Sequence, residues 1–188
     1  MNRLIPGTTI NFSEQAREAA FSQIAPVLDA TGGLTLSQLS KLSGLEGSTI
    51  QNWIKRGWVS SANGKKYSEK QVVRVLLINM LRGAMKLEDI ARLMNYVNGD
   101  VEDTSDDIIP DITLYNILCR IIFSAEDSGS FESEAVQHFI NAEIEASAKS
   151  IRSDEEKLRK AMFIMIMAYR SGFLKQEMET VLSDILNN

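Results

Sequence analysis

Two short helical patterns separated by a tight turn dominate the region from residue 34 to residue 94. In the first pattern, Thr35 and Gln38 have the T-x-x-Q spacing of a capping box, and Gly44 suits the position just after a helix end. The second pattern covers residues 48–56. Its apolar residues at i, i+3 and i+4 are Ile50, Trp53 and Ile54. Two short helices joined by a turn of three or four residues are typical of a helix-turn-helix.

A small basic loop follows the second helical pattern. Residues 57–59 and 65–67 each favour a short strand, so the sequence predicts a two-stranded wing at Ser60–Tyr67. Ser68 and Gln71 then form a second capping box, which predicts the start of a third helix. A short fourth helix is predicted after that one. The fold class predicted is all-α, with a winged helix-turn-helix followed by a C-terminal helical bundle.

Charge separates this region from the rest of the chain. Residues 34–94 contain ten lysines and arginines against four acids, a local charge of +6, whereas the whole chain carries −5. A basic helix-turn-helix inside an acidic protein indicates nucleic acid as the partner, because phosphates attract a local basic surface whatever the net charge. The alternative is an ordinary solvated helical face.

Four parts of the chain can be distinguished. We predict an N-terminal arm and helix at 1–33, the helix-turn-helix domain at 34–97, an exposed acidic linker at 98–111, and a helical domain at 112–188. The first helix is predicted over residues 13–24 and is expected to end or kink at Pro26. The last two helical segments are predicted as separate helices on either side of residues 172–173, so the tail lacks one long heptad helix and a homodimer is left open.

Composition indicates where the protein is located and whether it contacts a membrane. The single cysteine excludes an intramolecular disulfide and suits a reducing cytoplasm. The first residues lack the apolar segment of a secretory signal, and the most apolar run, Ala161–Tyr169, is half of the roughly 20 residues that span a bilayer. We therefore expect a cytoplasmic protein without a membrane partner. The apolar run is predicted to lie at the centre of the tail bundle or in a dimer interface.

The order of these features resembles the DNA-binding half of MerR-type transcription regulators. The matching segments are LSQLSKLSGL, STIQNWIKRGWV, KKYSEKQV and AMKLEDIARLM. The segment from STIQNWIKRG to KLEDI also resembles the uncharacterised bacterial family called domain of unknown function 1836, which pairs a MerR-like head with a helical tail. These resemblances imply a helix-turn-helix fold and DNA binding, and they imply no ligand.

Duplex DNA is the predicted partner, and the second helix is expected to enter the major groove. Gln51 and Asn52 stand where MerR-type helices carry a different pair, and both can bind adenine edges through two hydrogen bonds. The cations of this helix and of the wing would contact phosphates. Two roles are left open for Tyr67: packing under the wing, or donating its hydroxyl to a phosphate. The predicted DNA-binding residues are Ser48, Thr49, Gln51, Asn52, Lys55, Arg56, Lys65, Lys66 and Tyr67.

No catalytic or cofactor motif is evident in the sequence. Cys119 lies in an apolar helical segment and His138 has no cysteine or acid at ligand spacing, so neither predicts a metal site or a nucleophile. We therefore expect no enzyme activity, no cofactor and no metal. The prediction is a DNA-binding transcriptional regulator whose effector is unknown. The alternative is a protein–protein adaptor or regulatory subunit that uses a winged helix without binding DNA.

Overall fold

The computed structural model describes residues 3–62, 64–101, 103 and 105–187. Within these ranges the chain forms nine α-helices and no β-strand, which confirms the all-α class. The helices are α1 (Glu14–Glu18), α2 (Ala25–Thr31), α3 (Leu36–Ser43), α4 (Gly47–Lys55), α5 (Glu69–Leu81), α6 (Leu87–Asn98), α7 (Asp111–Ser128), α8 (Ser133–Ala146) and α9 (Glu155–Leu186). None of these described helices has the length and apolar content to cross a membrane.

Helices α3 and α4 form the predicted helix pair. The Thr35 hydroxyl accepts from the Gln38 backbone N–H, while the Gln38 side chain accepts from the Thr35 N–H at 2.8 Å, so the capping box is complete. Gly44 ends α3 in the left-handed conformation, which glycine adopts without a steric penalty. Ile50 and Trp53 of α4 are buried against the core. Local sequence signals therefore place this helix pair correctly.

The two predicted strands of the wing do not form in the described part of the chain. Instead, the backbone of Tyr67 pairs with Leu34, just before α3, through hydrogen bonds of 2.7 and 2.9 Å. Gly33 makes this pairing close, because a Cβ added there would lie 2.7 Å from the Tyr67 carbonyl oxygen. The amide of Gln71 also donates to the Ser61 carbonyl at 2.9 Å. Residues 57–67 therefore form a loop that these hydrogen bonds hold against α3 and α5. Asn63 of this loop lies outside the described residues.

Helix α5 lies at the centre of the molecule and packs against α3, α6, α7 and α9. Ten of its thirteen residues are buried, so other elements cover it on more than one side. One of them is a cation, Arg74, whose guanidinium lies 3.3 Å from the Asp111 carboxylate at the start of α7. Burial of a charge on a central helix is tolerated because the opposite charge is buried beside it.

The N-terminal segment differs from the prediction. The expected helix over residues 13–24 is divided: α1 ends at Glu18, a 3-10 turn follows at Ala20–Gln23, and α2 begins at Ala25. Pro26 lies in the first turn of α2 rather than ending a helix, since a first-turn residue needs no backbone N–H. The arm before α1 turns back on itself, with an antiparallel bridge between Leu4 and Asn11. It contributes a buried Ile5 to the core.

The acidic segment between α6 and α7 is only partly exposed. Ile108 and Ile109 are buried, and the buried Asn98 donates from Nδ2 to the Asp111 carboxylate at 2.7 Å. The structure therefore corrects the prediction of an exposed linker, because its second half packs into the core that joins head and tail. Glu102 and Thr104 of this segment lie outside the described residues.

The tail contains one long helix where the sequence predicted two. Helix α9 runs for 32 residues through Gly172 without a break. That glycine marks a close approach instead, because a Cβ added to it would lie 3.2 Å from the Cα of Gly83 in the turn between α5 and α6. Helices α5, α6, α7 and α8 all contact α9, and Ala168 is its last buried residue. The apolar run that begins at Ala161 is buried on one side only.

Replacing Trp53 with alanine should lower the free energy of unfolding by about 3–5 kcal/mol, because the indole ring is 1% exposed and its removal leaves a cavity under α4. Chemical denaturation monitored by circular dichroism measures this. Gln51→Ala, on the exposed side of the same helix, is the matched control and should change stability by less than about 0.5 kcal/mol. Equal effects of the two substitutions would contradict the packing described for α4.

Asp107→Asn should change how stability depends on pH. Burial, reinforced by the Asp111 and Asp106 carboxylates, raises the pKa of Asp107 to about 6. The native state therefore holds this proton up to about pH 6, whereas the unfolded chain releases it near its ordinary value of about 3.9. Stability contributed by the protonated form is lost as pH rises between these values. After allowance for solvent screening, the variant should gain on the order of 1 kcal/mol relative to wild type across this window.

Thermal denaturation at pH 4, 5, 6 and 7 tests this expectation. Asp103→Asn is the control of opposite sign, because the Ser105 backbone N–H holds the pKa of Asp103 below its usual range. That variant should show no relative gain as pH rises. A pH-independent difference between Asp107→Asn and wild type would contradict the burial of this carboxyl group.

Candidate nucleic-acid interface

The outward side of α4 presents a row of polar side chains. Ser48, Gln51, Asn52 and Lys55 are all exposed, and their spacing of three or four residues places them along one side of the helix. The row is about 10 Å long at 1.5 Å per residue. Thr49, also predicted as a contact, is half-buried at the edge of this side. The row presents hydrogen-bond donors, acceptors and one cation to solvent.

Arg56, at the end of α4, is already engaged with its neighbours. Its Nη1 lies 3.2 Å from Oε1 of Glu88 in the first turn of α6, and its guanidinium lies 5.0 Å above the Trp58 ring. Half of the Arg56 side chain remains exposed, so the contact with Glu88 is a solvent-screened one. The residue therefore links the end of α4 to α6 and contributes less free positive charge than the sequence indicates.

The loop after α4 brings only part of its predicted set to the surface. Lys65 is exposed, whereas the exposed Lys66 donates from Nζ to the carbonyl oxygen of Thr31 at the end of α2. Tyr67 is 7% exposed, which favours packing over a phosphate contact. These contacts follow from the pairing of Tyr67 with Leu34, which turns the end of the loop toward the interior. Lys65 is the loop residue best placed for a ligand.

Several cations counted in the basic region are already paired with acids. Arg74 is buried with Asp111, and Arg92 lies 3.6 Å from Asp89 on its own helix. Because Asp111 lies outside residues 34–94, a local count treats the charge of Arg74 as free. The exposed Lys41 on α3 adds a cation near α4 in the chain. The accessible positive charge is smaller than +6 because Arg74 is buried. It lies on α3, α4 and the following loop, and also around α5 at Lys70, Arg82 and Lys86.

Neither half of the molecule brings together a catalytic set in the described residues. Cys119 is fully buried in α7, where desolvation raises the pKa of its thiol, and His138 is exposed on α8. These positions do not fit a nucleophile with a general base. No group of three or more potential metal ligands occurs in the part of the chain that the structure describes.

The helices of the tail border two open grooves in the described part of the chain, and α5 also lines one of them. One, of about 330 Å³, lies where the start of α5 meets the start of α7, and both signs of charge line it through Lys70, Arg152 and Asp107. The other, of about 550 Å³, lies between α8 and α9, with Phe163 and Ile164 in its wall. Sequence reasoning identified neither, because each groove is formed by residues from separate helices.

Comparison with known proteins shows a family and a relative of this chain. The chain is 26% identical over 162 residues to the uncharacterized protein YkrK of Bacillus subtilis (strain 168), a match that covers 80% of this chain and 69% of the relative. No solved structure matches the chain. Residues 21–118, which include α3 to α6 and the first part of α7, match the family described as "Domain of unknown function (DUF1836)". Since this match covers more than half of the 188 residues, the chain belongs to the DUF1836 family.

Proposed function

We propose that this protein binds duplex DNA through α4 and thereby regulates transcription, as a helix-turn-helix protein of MerR-like organisation. The observation that carries the proposal is the row of exposed polar side chains on the outward side of α4. This row lies on the second helix of a helix-turn-helix, which is the helix that enters the major groove in such proteins. The order of α3, α4, a basic loop, α5 and α6 supports the MerR-like assignment.

Gln51 and Asn52 are the residues proposed to read sequence. Their side chains are exposed on adjacent positions of α4, where neither makes a side-chain hydrogen bond to another described residue. A glutamine or asparagine amide can donate to N7 and accept from N6 of adenine at once, which discriminates the correct base by about 1–3 kcal/mol. Ser48 and Thr49 lie one turn earlier and would contact base edges or the backbone.

Phosphate contacts are assigned to the exposed cations around this helix. Lys55 and Lys65 have no ion-pair partner in the described ranges and would approach phosphates without losing an internal contact. Arg56 would exchange its screened contact with Glu88 for a phosphate. Lys66 would first have to release the Thr31 carbonyl, so its part in binding is smaller. The loop replaces a two-stranded wing as the second contact region.

Salt dependence tests the phosphate contacts. Because each phosphate contact releases counterions, Lys55→Ala and Lys65→Ala should each reduce the slope of log K against log salt by about 0.9. Lys149→Ala, an exposed lysine of the tail, is the matched control and should leave the slope unchanged. Fluorescence anisotropy with duplexes from the protein's own operon provides the measurement. Unchanged slopes for both head variants would contradict the proposed contact surface.

Base readout is tested separately from phosphate contact. Gln51→Ala and Asn52→Ala should each reduce the preference for the operon sequence over a random duplex by about 1–3 kcal/mol, because the bidentate contact to a base is lost. The salt slope should stay the same in both variants. A uniform loss of affinity on every duplex would contradict a role in sequence recognition.

The competing proposal is a protein–protein adaptor. A folded protein that binds neither operon fragments nor random duplex at low salt would contradict DNA binding and support the adaptor. Circular dichroism on the same sample establishes that the protein is folded.

A further inference from the structure

Helix α9 has apolar residues on two opposite sides. Its buried side faces the core through Leu158, Ala161, Met162, Met165, Ile166 and Ala168. At 100° per residue, a second apolar set points away from this side into solvent. Its most exposed members are Ile164, Leu174, Met178, Val181 and Ile185, whose exposed fractions lie between 45% and 68%. We call this second set, together with Met167 and Ser171, the outer stripe.

The spacing of the outer stripe matches another helix. Its seven positions, 164, 167, 171, 174, 178, 181 and 185, alternate steps of three and four residues over three heptads. This alternation is the a and d pattern of a coiled coil, in which each side chain fits between four residues of the facing helix. Six of the seven positions are apolar, and the remaining one is Ser171. The expected occupant of this surface is therefore an α-helix.

The second half of the outer stripe lies beyond the body of the protein. Every residue from 178 to 187 is exposed, although the helix continues without interruption to Leu186. A helical end of this length is marginal in water when nothing packs against it. No element of the described chain covers it, so its stability and its apolar face both favour a partner from another molecule.

We propose that the outer stripe of α9 binds the outer stripe of a second copy of this chain in an antiparallel coiled coil. The two-fold axis passes close to residues 172–173. In that register Ile164 packs on Val181 of the second copy, and Met167 packs on Met178 of the second copy. Each projecting arm then lies along the docked half of the other α9, and the paired part of the stripe covers about 27 Å for the 18 residues from 164 to 181. This proposal does not depend on DNA binding.

Charge selects the antiparallel orientation. Arg170 and Glu177 both occupy g positions, and g positions of antiparallel helices face each other. The pair therefore forms twice across the two-fold axis. In a parallel pair, Arg170 would instead face Lys175 at the e position of the second copy, and like charges would repel. Arg170 lies over the Phe131 ring at 4.7 Å, which holds its guanidinium beside the stripe.

The shape of the surface next to the stripe also fits. The groove of about 550 Å³ between α8 and α9 lies beside Ile164, with Arg159 and Lys160 on its edge. The arm that would reach this end of the second copy carries Glu177, Glu179 and Asp184 against one lysine from residue 174 onward. The two cations already pair with Glu155 and Glu156 of their own helix, at 3.3 and 2.6 Å. These contacts are solvent-screened, so the acidic arm would exchange with them at little cost.

Oligomeric state tests the surface. Sedimentation equilibrium of the full chain should show a dimer at about 10 μM. Val181→Glu should raise the dimer dissociation constant by roughly 100-fold, because the two-fold symmetry places the new carboxylate against Ile164 twice, once at each end of the interface. Leu186→Glu is the matched control, because Leu186 is 75% exposed on the same helix but lies outside the stripe. A monomeric folded wild type, or a dimer equally weakened by both substitutions, would overturn the proposal.

Charge reversal tests the orientation. Arg170→Glu and Glu177→Arg should each weaken the dimer by about tenfold. The double variant should recover at least half of that loss on a logarithmic scale, because the exchanged charges at positions 170 and 177 of opposite chains attract each other again. Circular dichroism establishes that each variant is folded, since Arg170 also contacts Phe131. A double variant weaker than either single variant would overturn the antiparallel arrangement.

Discussion

The buried ion pair between Arg74 and Asp111 holds the two halves of the protein together. Both carboxylate oxygens of Asp111 lie 3.3 Å from Nη1 of Arg74, and the Asn98 amide completes the cluster. Arg74 Nε also points to the Trp58 carbonyl at 3.4 Å. Arg74 thus connects the loop after α4 to the start of α7, and Asp111 extends the cluster to the end of α6. Removing one member of such a buried pair typically costs about 3–5 kcal/mol, because the other charge stays desolvated.

This cluster explains why the head and tail share one core. Asp111 is the first residue of α7, where a carboxylate also interacts favourably with the positive end of the helix dipole. Its second partner, Asn98, is the last residue of α6. The segment between them must therefore return close to α5, which buries Ile108 and Ile109. Acidic composition alone predicted an exposed linker, because the apolar pair at its end is too short to be recognised as core.

Local signals predicted the helices whose ends are set by neighbours in sequence. The capping boxes at Thr35 and Ser68 mark the starts of α3 and α5, and Gly44 marks the end of α3. Features decided by distant residues were missed. The pairing of Tyr67 with Leu34 replaces the wing, and the contact of Gly172 with Gly83 replaces a helix break. The sequence alone does not tell whether a glycine is needed for a turn or for a close contact between two backbones.

The same limit applies to the candidate interface on α4 and the loop after it. The sequence identified the polar row on α4, because helical periodicity separates Gln51 and Asn52 from Trp53. It overestimated the available charge, because Arg74 and Arg56 are paired with acids from other helices. If the head binds DNA as proposed, each cation held by an acid removes one potential phosphate contact and makes the salt dependence of one head shallower. Two heads held by α9 would double the contacts, and since α5 packs against both α3 and α9, the core would fix the spacing between them.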